Sequence, residues 1–486
     1  MKKKLCVAAI MAVSASAAMA GGLLTNTNQN AVFLRNPARD AAIGIADYYS
    51  NPAGVAFLDK GFHLSLSWQA AFQKRQINST APFYQFNTAN PSTERFFEGV
   101  TNAPVIPSFQ AAYVFNEKWS VNAQFAVGGG GGACEFDNGL PMFEQLVGGK
   151  LSEAQATSYG LNQNLTGKQY FYGIQVGTSY KITDNLSVFG GARGVLANCS
   201  YVGAITNVTA NGMAAGAYLT GVSQQAAAGA QQAAAAAAQF AAAGMNKEAA
   251  EYQAMAEKYQ AAAVSAGQGA FLLGSDLTLD CSQSGFGITP ILGVDWNLGK
   301  LNLAAKYEFK TKINMENEAN NSENLAALAT QVPTVAVYAD GAKVRSDIPA
   351  LLTIGAQYSL LDNLRLMGGF HYWWDKKAKG SATNVEKNTW EVTYGAEFDV
   401  NNWLTLSAGG QTTRINQGDG LVDTNFSPSS NTLAVGATFH LSKMVNLNAG
   451  YMHTFYKDVQ MSRAGGIVDT YTRNNDALGV SVDLKF

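Results

Sequence analysis

The sequence predicts an all-β protein, a fourteen-stranded antiparallel β-barrel that spans a membrane. Runs of alternating apolar and polar residues recur along the chain, and the links between these runs alternate between short and long. The composition combines 49 glycines and 11% aromatic residues with only 14% charged residues. Beyond the N-terminus no apolar run has the length that a membrane-spanning helix needs, which excludes a helical membrane protein.

The N-terminus predicts export from the cytoplasm. Lys2, Lys3 and Lys4 form a basic segment, residues 5–18 are apolar, and Ala18-Met19-Ala20 has the small residues of a cleavage site. We therefore expect residues 1–20 to be a cleavable signal peptide and the mature chain to begin at Gly21. An exported protein that crosses a membrane with strands is expected in the outer membrane of a Gram-negative bacterium.

The alternation marks fourteen strands, each long enough to cross a bilayer at a tilt. In the last strand, Leu478, Val480 and Val482 alternate with small or polar residues up to the terminal Phe486. The strands are predicted at residues 61–73, 105–116, 118–128, 168–181, 186–199, 284–297, 301–312, 347–360, 364–375, 389–400, 403–415, 431–442, 445–457 and 475–486.

The links between the strands alternate strictly in length. Short turns are predicted around residues 116–117, 183–185, 298–300, 361–363, 401–402 and 442–444. Long loops are predicted at about 74–104, 129–167, 200–283, 313–346, 376–388, 416–430 and 458–474. Short turns on one side and long loops on the other are the architecture of an outer-membrane barrel, with both termini on the periplasmic side. A closed barrel also leaves no sheet edge exposed to lipid.

Aromatic residues lie where the two membrane interfaces are expected. Trp119, Trp296 and Trp403 stand at the periplasmic ends of strands, and Trp68 and the run Tyr372-Trp373-Trp374 lie toward the outer half. We interpret them as aromatic girdles.

The longest loop, residues 200–283, is predicted to be an extracellular insertion with a helical hairpin. Residues 223–264 are rich in alanine and glutamine, which favour helix, and Gly244-Met245-Asn246 interrupts them. One interpretation is a cap that shapes the outer mouth and contacts ligand. The alternative is a low-complexity loop without a fixed structure.

Three cysteines remain after removal of the signal peptide. Cys199 and Cys281 flank the insertion, so we expect a disulfide across its base and a free thiol at Cys134. The four histidines are scattered and no Cys/His cluster is present, so no metal site and no cofactor are predicted. A net charge of −2 gives no indication of nucleic-acid binding.

A run of five glycines occurs where the third predicted strand ends. Gly128, Gly129, Gly130, Gly131 and Gly132 carry no side chains for packing and permit bulges or kinks. The run is interpreted either as the start of a flexible loop or as a break in the barrel wall.

Two Asn-Pro-Ala turns precede the first strand, at Asn36-Pro37-Ala38 and within Ser50-Asn51-Pro52-Ala53-Gly54. By local chemistry alone each is an ordinary turn. With the signal, an N-terminal segment of about forty residues, fourteen strands and a terminal aromatic residue, however, the chain resembles the FadL/TodX family of outer-membrane transporters of long-chain fatty acids and other hydrophobic compounds.

The resemblance implies a domain organisation and a mechanism without chemistry. Residues 21–60 would form a hatch inside the barrel of residues 61–486. A ligand captured by extracellular loops would pass the lipopolysaccharide layer, enter a lumen pocket above the hatch, and leave sideways. In the family the lateral gap comes from a kink in the third strand, so the glycine run is the candidate here. The apolar residues Leu23, Leu24, Phe33 and Leu34 are candidate ligand contacts.

The expected partners are a long-chain fatty acid or another hydrophobic ligand, outer-membrane lipid and lipopolysaccharide, and the barrel-assembly machinery, which would read Phe486. Haem or porphyrin uptake is the main alternative, with His453 as a possible axial ligand. An adhesin would have no need of a hatch. An enzyme is not expected, because His371 and His440 have no predicted nucleophile beside them.

Overall fold

The computed structural model describes residues 30–320, 338–380, 386–416, 423 and 426–486. The predicted signal peptide, Leu23 and Leu24 lie outside the described residues.

Most of the described chain is strand. The strands are β1 (Gly61–Thr80), β2 (Glu94–Val114), β3 (Trp119–Phe136), β4 (Tyr159–Thr183), β5 (Leu186–Ala210), β6 (Met213–Ala214), β7 (Leu277–Asn297), β8 (Leu301–Glu308), β9 (Asn314–Ala319), β10 (Lys343–Arg345), β11 (Leu351–Leu361), β12 (Leu364–Trp373), β13 (Lys387–Asn401), β14 (Leu404–Asn416), β15 (Ser430–His440), β16 (Val445–Tyr456), β17 (Val459–Arg463) and β18 (Ile467–Lys485). The α-helices are α1 (Ala31–Arg35), α2 (Pro141–Glu153), α3 (Ala215–Ala242) and α4 (Asn246–Leu272). Short 3-10 helices cover Ile45–Asp47, Ala53–Phe57, Pro82–Phe86 and Asp375–Lys377.

The sheet closes on itself because β18 pairs antiparallel with β1. At the seam Phe62 and Phe486 exchange backbone hydrogen bonds of 3.1 and 2.8 Å. β8 and β9 are two parts of one crossing, β10 and β11 of the next, while β6 and β17 only extend hairpins. Among the described residues the wall therefore has 14 crossings, as the alternation predicts.

The wall is apolar outside and polar inside. On β15, Leu433 and Val435 are 57% and 53% exposed, whereas their inward neighbours Thr432 and Ala434 are buried. The same arrangement, apolar outside and polar inside, recurs around the barrel. It is the opposite of a soluble protein's arrangement and is expected for a barrel surrounded by lipid. It follows from the alternation of residue types along each strand, because successive side chains of a strand point to opposite faces of the wall.

Seven strands, β1 to β5, β7 and β18, run seven or more residues beyond the predicted ends on the long-loop side. β4 and β5 reach 25 residues each, whereas about 14 are predicted. These extensions enclose α2 and the lower ends of α3 and α4. The shared apolar core includes Leu146, Leu151, Leu219, Leu272 and Phe426.

Helices α3 and α4 pack against each other through alanine faces. The buried alanines are Ala230, Ala233, Ala237, Ala256, Ala263 and Ala266. Ser223 Oγ donates to the Ala263 carbonyl at 2.8 Å, and the Phe240 and Tyr252 rings stack at 5.1 Å. Among the described residues, no α-helix combines the length and apolar character that a membrane-spanning helix requires.

The predicted disulfide between Cys199 and Cys281 is wrong, since both cysteines are free and buried, as is Cys134. Cys199 lies opposite Gln283 and Cys281 opposite Tyr201, so the two cysteines are diagonal neighbours across β5 and β7. Diagonal pairs lie about 7–8 Å apart. That separation exceeds the roughly 4.4–6.8 Å between Cα atoms that a disulfide spans. Flanking a loop in sequence does not place two residues in direct register.

Candidate functional site

Residues 30–60, here called the N-terminal segment, contact inward-facing side chains on opposite sides of the barrel. On one side Ser67 of β1 accepts the Ala31 N–H at 2.9 Å. On another, Asn302 of β8 donates to the Ala41 carbonyl at 2.8 Å. Arg35 donates to Ser407 of β14 at 3.0 Å. The segment therefore lies within the barrel lumen.

Both Asn-Pro-Ala turns are closed by their own asparagine. The Oδ1 atom of Asn36 accepts the Ala38 N–H, and that of Asn51 accepts the Gly54 N–H, each at 3.1 Å. The Nδ2 groups point away from the turns: Asn36 to Met367 Sδ at 3.1 Å, Asn51 to the Ala42 carbonyl at 3.1 Å. Each asparagine thus shapes a turn and joins it to its surroundings.

The second turn is attached to three strands. Ser179 of β4 donates to the Pro52 carbonyl and Ser187 of β5 to the Ala53 carbonyl, both at 2.8 Å. Asn51 also donates to Asp295 of β7. A Cβ on Gly54 would lie 2.5 Å from Asn51 Nδ2, so the turn accepts no larger residue there.

Charged residues hold the segment to the opposite wall. Arg35 and Arg39 contact Glu397 of β13 at 2.6 and 2.5 Å, and Arg39 also contacts Asp47 at 2.7 Å. Burial opposes the charge on Arg39, but Asp47 and Glu397 outweigh it and raise the pKa of Arg39 above its ordinary value. Arg365 contacts Glu397 from the wall at 3.3 Å.

A second polar contact forms nearby. Asp40 Oδ2 lies 3.0 Å from His371 Nε2, and His371 Nδ1 lies 2.6 Å from Glu391 Oε1. The wall carries glycine where Asp40 approaches: a Cβ on Gly355 would lie 2.5 Å from the Asp40 Cβ. The histidine thus joins the segment to β13.

The N-terminal segment packs against inward-facing glycines of β11 to β18. These glycines are here called the glycine seat. The directly paired glycines are Gly355 with Gly369, Gly395 with Gly409, and Gly436 with Gly450, which also pairs with Gly479. A Cβ on Gly450 would lie 2.6 Å from the Arg35 nitrogen. Sequence reasoning missed this seat, although glycine on the polar face of several consecutive strands was the available signal.

A small cavity of about 20 Å³ above the segment lies next to an excess of positive charge. It is lined by Tyr49, Gly128, Arg193 and Glu308, among others. Glu308 binds Arg193 at 2.7 Å and Lys306 at 2.7 Å, and all three are buried. The Tyr49 ring lies against both cations, at 4.8 Å from Arg193 and 4.2 Å from Lys306. Two cations therefore share one carboxylate.

The wall beside the cavity is interrupted. β2 and β3 pair from Phe109–Phe125 toward the periplasmic turn and again at Thr101–Cys134 and Val100–Glu135, but residues 102–108 and 126–133 have no cross-strand partner in this ladder. β3 runs to Phe136, so the glycine run lies in mid-strand rather than at the predicted strand end. It also interrupts the pairing with β4, between Val127 and Gly129 and between Gly130 and Gly132. Gly130 has φ +75, which favours glycine.

At the periplasmic end of the interruption the inner wall is polar. Gln69, Ser108 and Gln124 are buried, and each has a polar atom without a hydrogen-bond partner among the described residues. Such groups favour hydration over contact with an apolar molecule. This part of the lumen is therefore unfavourable for a hydrocarbon chain.

The other predicted site residues lie elsewhere. Leu34 packs with Ala434, Met452 and Ala477, with Phe33 at the edge of that cluster. Neither residue lines the cavity described above. Ser50 is half-buried.

The histidine proposed for haem ligation faces away from the lumen, since its neighbours Met452 and Thr454 are the buried, inward residues. His453 is on the outward face of β16, where Nδ1 lies 2.7 Å from Asp476 Oδ1, and its ring contacts Phe455 at 4.3 Å. His440 lies 2.9 Å from Thr405 Oγ1 and 2.9 Å from Asn446 Oδ1. Neither position favours haem binding.

A family model described as an outer membrane protein beta-barrel domain matches residues 320–486. A comparison with curated proteins gave no match. Among solved structures, the chain is similar to a FadL homologue of Pseudomonas aeruginosa, at 14% identity and a TM-score of 0.59, covering 94% of this chain and 98% of that chain.

Two toluene transporters have similar structures. TodX of P. putida has 14% identity and a TM-score of 0.54, with 91% of this chain and 94% of that chain covered. TbuX of Ralstonia pickettii has 14% identity and a TM-score of 0.52, with 95% and 99% covered. The chain therefore has the β-barrel fold of the FadL homologue and the toluene transporters, and the resemblance predicted from its sequence is confirmed at the level of the fold.

Proposed function

We propose that this protein is an outer-membrane channel for hydrophobic small molecules, with long-chain fatty acids as its preferred ligands. The extracellular loops capture the ligand, the lumen cavity enlarges to receive its head group, and the N-terminal segment acts as a hatch that closes the periplasmic side. The ligand then leaves laterally between β2 and β3. The observation that carries this proposal is the interrupted β2–β3 ladder directly beside the cavity.

The lining of the lumen favours lateral release. An apolar chain loses about 0.8 kcal/mol for each CH₂ that passes from an apolar environment into water. Descent past Gln69, Ser108 and Gln124 brings the chain among buried polar groups. Passage through the gap brings it instead to lipid, where no such cost arises.

The charges of the cavity favour a ligand with an anionic head. Arg193 and Lys306 are buried and share Glu308 as their carboxylate. A buried cation in excess is stabilised by an incoming carboxylate. A fatty acid supplies that carboxylate together with a chain that reaches toward Gly128 at the wall.

Lys306 also connects the cavity to the hatch. Its Nζ donates to the Tyr49 carbonyl at 2.7 Å, and Tyr49 lies two residues before Asn51. A carboxylate that draws Lys306 away weakens this attachment and shifts the hatch toward release. Ligand binding and hatch movement are thereby coupled through one side chain.

Capture takes place at the outer mouth. The apolar core formed by α2 and the strand extensions lies above the cavity and includes Leu146 and Phe426. The α3–α4 insertion packs on it through Leu219 and Leu272. We assign this insertion the role of a cap.

A disulfide across the gap tests the proposal. A Cβ on Gly132 would lie 3.5 Å from the Ala103 Cβ, which is within disulfide geometry, but 2.5 Å from Thr101 Cγ2, so both cysteine pairs below are made with Thr101→Ser to provide room. In a background without the native cysteines, Ala103→Cys with Gly132→Cys should abolish oleate uptake when oxidised and restore it on reduction. The matched control is Ala111→Cys with Ala123→Cys, a directly paired position on the same strands, which should leave uptake unchanged. Undiminished uptake by the oxidised gap variant would refute lateral release.

A further inference from the structure

Four aromatic side chains cluster on the outer face of the barrel at the long-loop ends of β8 and β12. Tyr307 contacts Phe309 at 4.8 Å and Trp374 at 5.7 Å, and Tyr372 contacts Trp374 at 5.0 Å between ring centroids. Their neighbours Glu308 and Trp373 are buried on the inward side. The burial of Trp373 corrects its assignment to the girdle.

The height of this cluster follows from the strands that carry it. Both β8 and β12 start from short turns, after residues 298–300 and 362–363. Tyr307 and Phe309 lie seven and nine residues after the first turn, and Tyr372 and Trp374 lie nine and eleven residues after the second. Outward aromatic residues at that level mark the interface between hydrocarbon and head groups on the extracellular side.

Lysines follow these aromatic residues directly in the chain. Lys310 comes after Phe309, and Lys376, Lys377 and Lys379 come after Trp374. The last three are exposed. They are thus placed just beyond the aromatic level, where the charged parts of outer-leaflet lipids lie.

The turn that presents the lysines is held in a defined shape. The Lys376 N–H donates to Asn388 Oδ1 at 3.0 Å, and the Lys379 N–H donates to Asp347 Oδ2 at 3.1 Å. Lys310 Nζ donates to the Lys377 carbonyl at 3.1 Å. The lysines therefore start from a fixed backbone, which lowers the entropy lost on binding.

The nearby carboxylates do not neutralise the turn. Asp347 is fully buried and pairs with Arg345 at 2.5 Å and Lys310 at 3.6 Å. Asp375 is also fully buried and accepts the Thr389 N–H at 2.6 Å. Lys376, Lys377 and Lys379 make no ion pair with any carboxylate in the described part of the chain.

We propose that Lys310, Lys376, Lys377 and Lys379, with the aromatic residues Tyr307, Phe309, Tyr372 and Trp374, form a binding site for a phosphorylated glycolipid of the outer leaflet. The phosphate groups contact the lysines and the acyl chains lie along the rings. This arrangement matches charge to charge and hydrocarbon to aromatic surface in the order in which the lipid presents them. The site lies on the outer face of the barrel, and its Phe309 also borders the lumen cavity.

Binding of purified bisphosphorylated lipid A to the detergent-solubilised full-length barrel tests the site. The variant combines Lys376→Ala, Lys377→Ala and Lys379→Ala. Its matched control combines Lys168→Ala, Lys247→Ala and Lys258→Ala, three exposed lysines elsewhere. Bound lipid is counted by native mass spectrometry, and heat-modifiable gel migration confirms that each barrel is folded.

We expect the site variant to lose affinity by about fivefold for each lysine removed at low ionic strength, and the control to bind like the parent protein. The difference should shrink in high salt. Dephosphorylated lipid A should bind the parent protein as weakly as lipid A binds the site variant. Equal binding of lipid A by parent and site variant, or equal binding of the phosphorylated and dephosphorylated lipids by the parent, would overturn the proposal.

Discussion

The attachment of the N-terminal segment to β13 depends on Glu397. Replacement of Glu397 by glutamine keeps the size of the side chain and removes the charge that Arg35 and Arg39 share. Both arginines and Glu397 are less than a tenth exposed, so solvent does not replace the lost charge. Asp47 then remains as a partner for Arg39 but not for Arg35.

The expected cost is that of breaking a buried ion pair. Removal of one partner from such a pair costs about 3–5 kcal/mol. We assign about 3 kcal/mol here, since Arg39 keeps Asp47. If this cost falls on the seated form of the segment, the ratio of released to seated segment rises about 150-fold.

Single-channel conductance in planar bilayers measures this ratio as the open probability for small ions. Glu397→Gln should open far more often than the parent barrel. Asp399→Asn is the matched control, because Asp399 binds only Arg365 among the arginines of this network and touches no residue of the segment in a described ion pair. A closed, parent-like Glu397→Gln barrel, folded by heat-modifiable migration, would show that these ion pairs do not hold the segment.

Three further outcomes are expected. Lys306→Met should lower the affinity for oleate about tenfold and leave the affinity for a neutral hydrocarbon unchanged, both measured by fluorescence displacement. Equal losses of affinity for the two ligands would contradict the proposed preference for an anionic head group. Gly450→Val should prevent the N-terminal segment from packing against the wall and should raise conductance. Gly190→Val should leave conductance unchanged, because a Cβ at Gly190 meets open space. A closed Gly450→Val channel would contradict the role of the glycine seat. Burial, reinforced by Asp469, raises the pKa of Asp423 in the outer loop from 3.8 to about 6, so docking of this loop should be strongest below about pH 4 and weaken up to about pH 6. Limited proteolysis should follow that pH dependence in the parent and not in Asp423→Asn, and identical profiles would exclude Asp423 as the titrating group.

The barrel was predictable because its signals are local. Alternation such as that around Leu433 and Val435 decides which face of a strand meets lipid, and this needs no knowledge of the partner strand. The Asn-Pro-Ala turns were recognisable for the same reason, since Asn36 and Asn51 bond to backbone groups two and three residues further on.

The candidate site was less predictable because it is built between distant segments. Lys306 and Tyr49 are 257 residues apart, and neither has a neighbouring pattern that marks it. The strand extensions were missed because they enclose helices rather than face lipid, so their inward residues are apolar and the alternation is lost.

The amino-acid sequence by itself determined the number of strands, the direction of their faces and the position of the two turns, because each follows from periodicity or from bonds within a few residues. Only the tertiary structure decided that Cys199 and Cys281 lie diagonally, that Gly128–Gly132 falls in mid-strand, and that the β2–β3 ladder opens there. Those features depend on the register between strands and on how far each strand continues. Register is set by the connecting turns together with packing between neighbouring strands, so it cannot be read from the pattern of one strand alone.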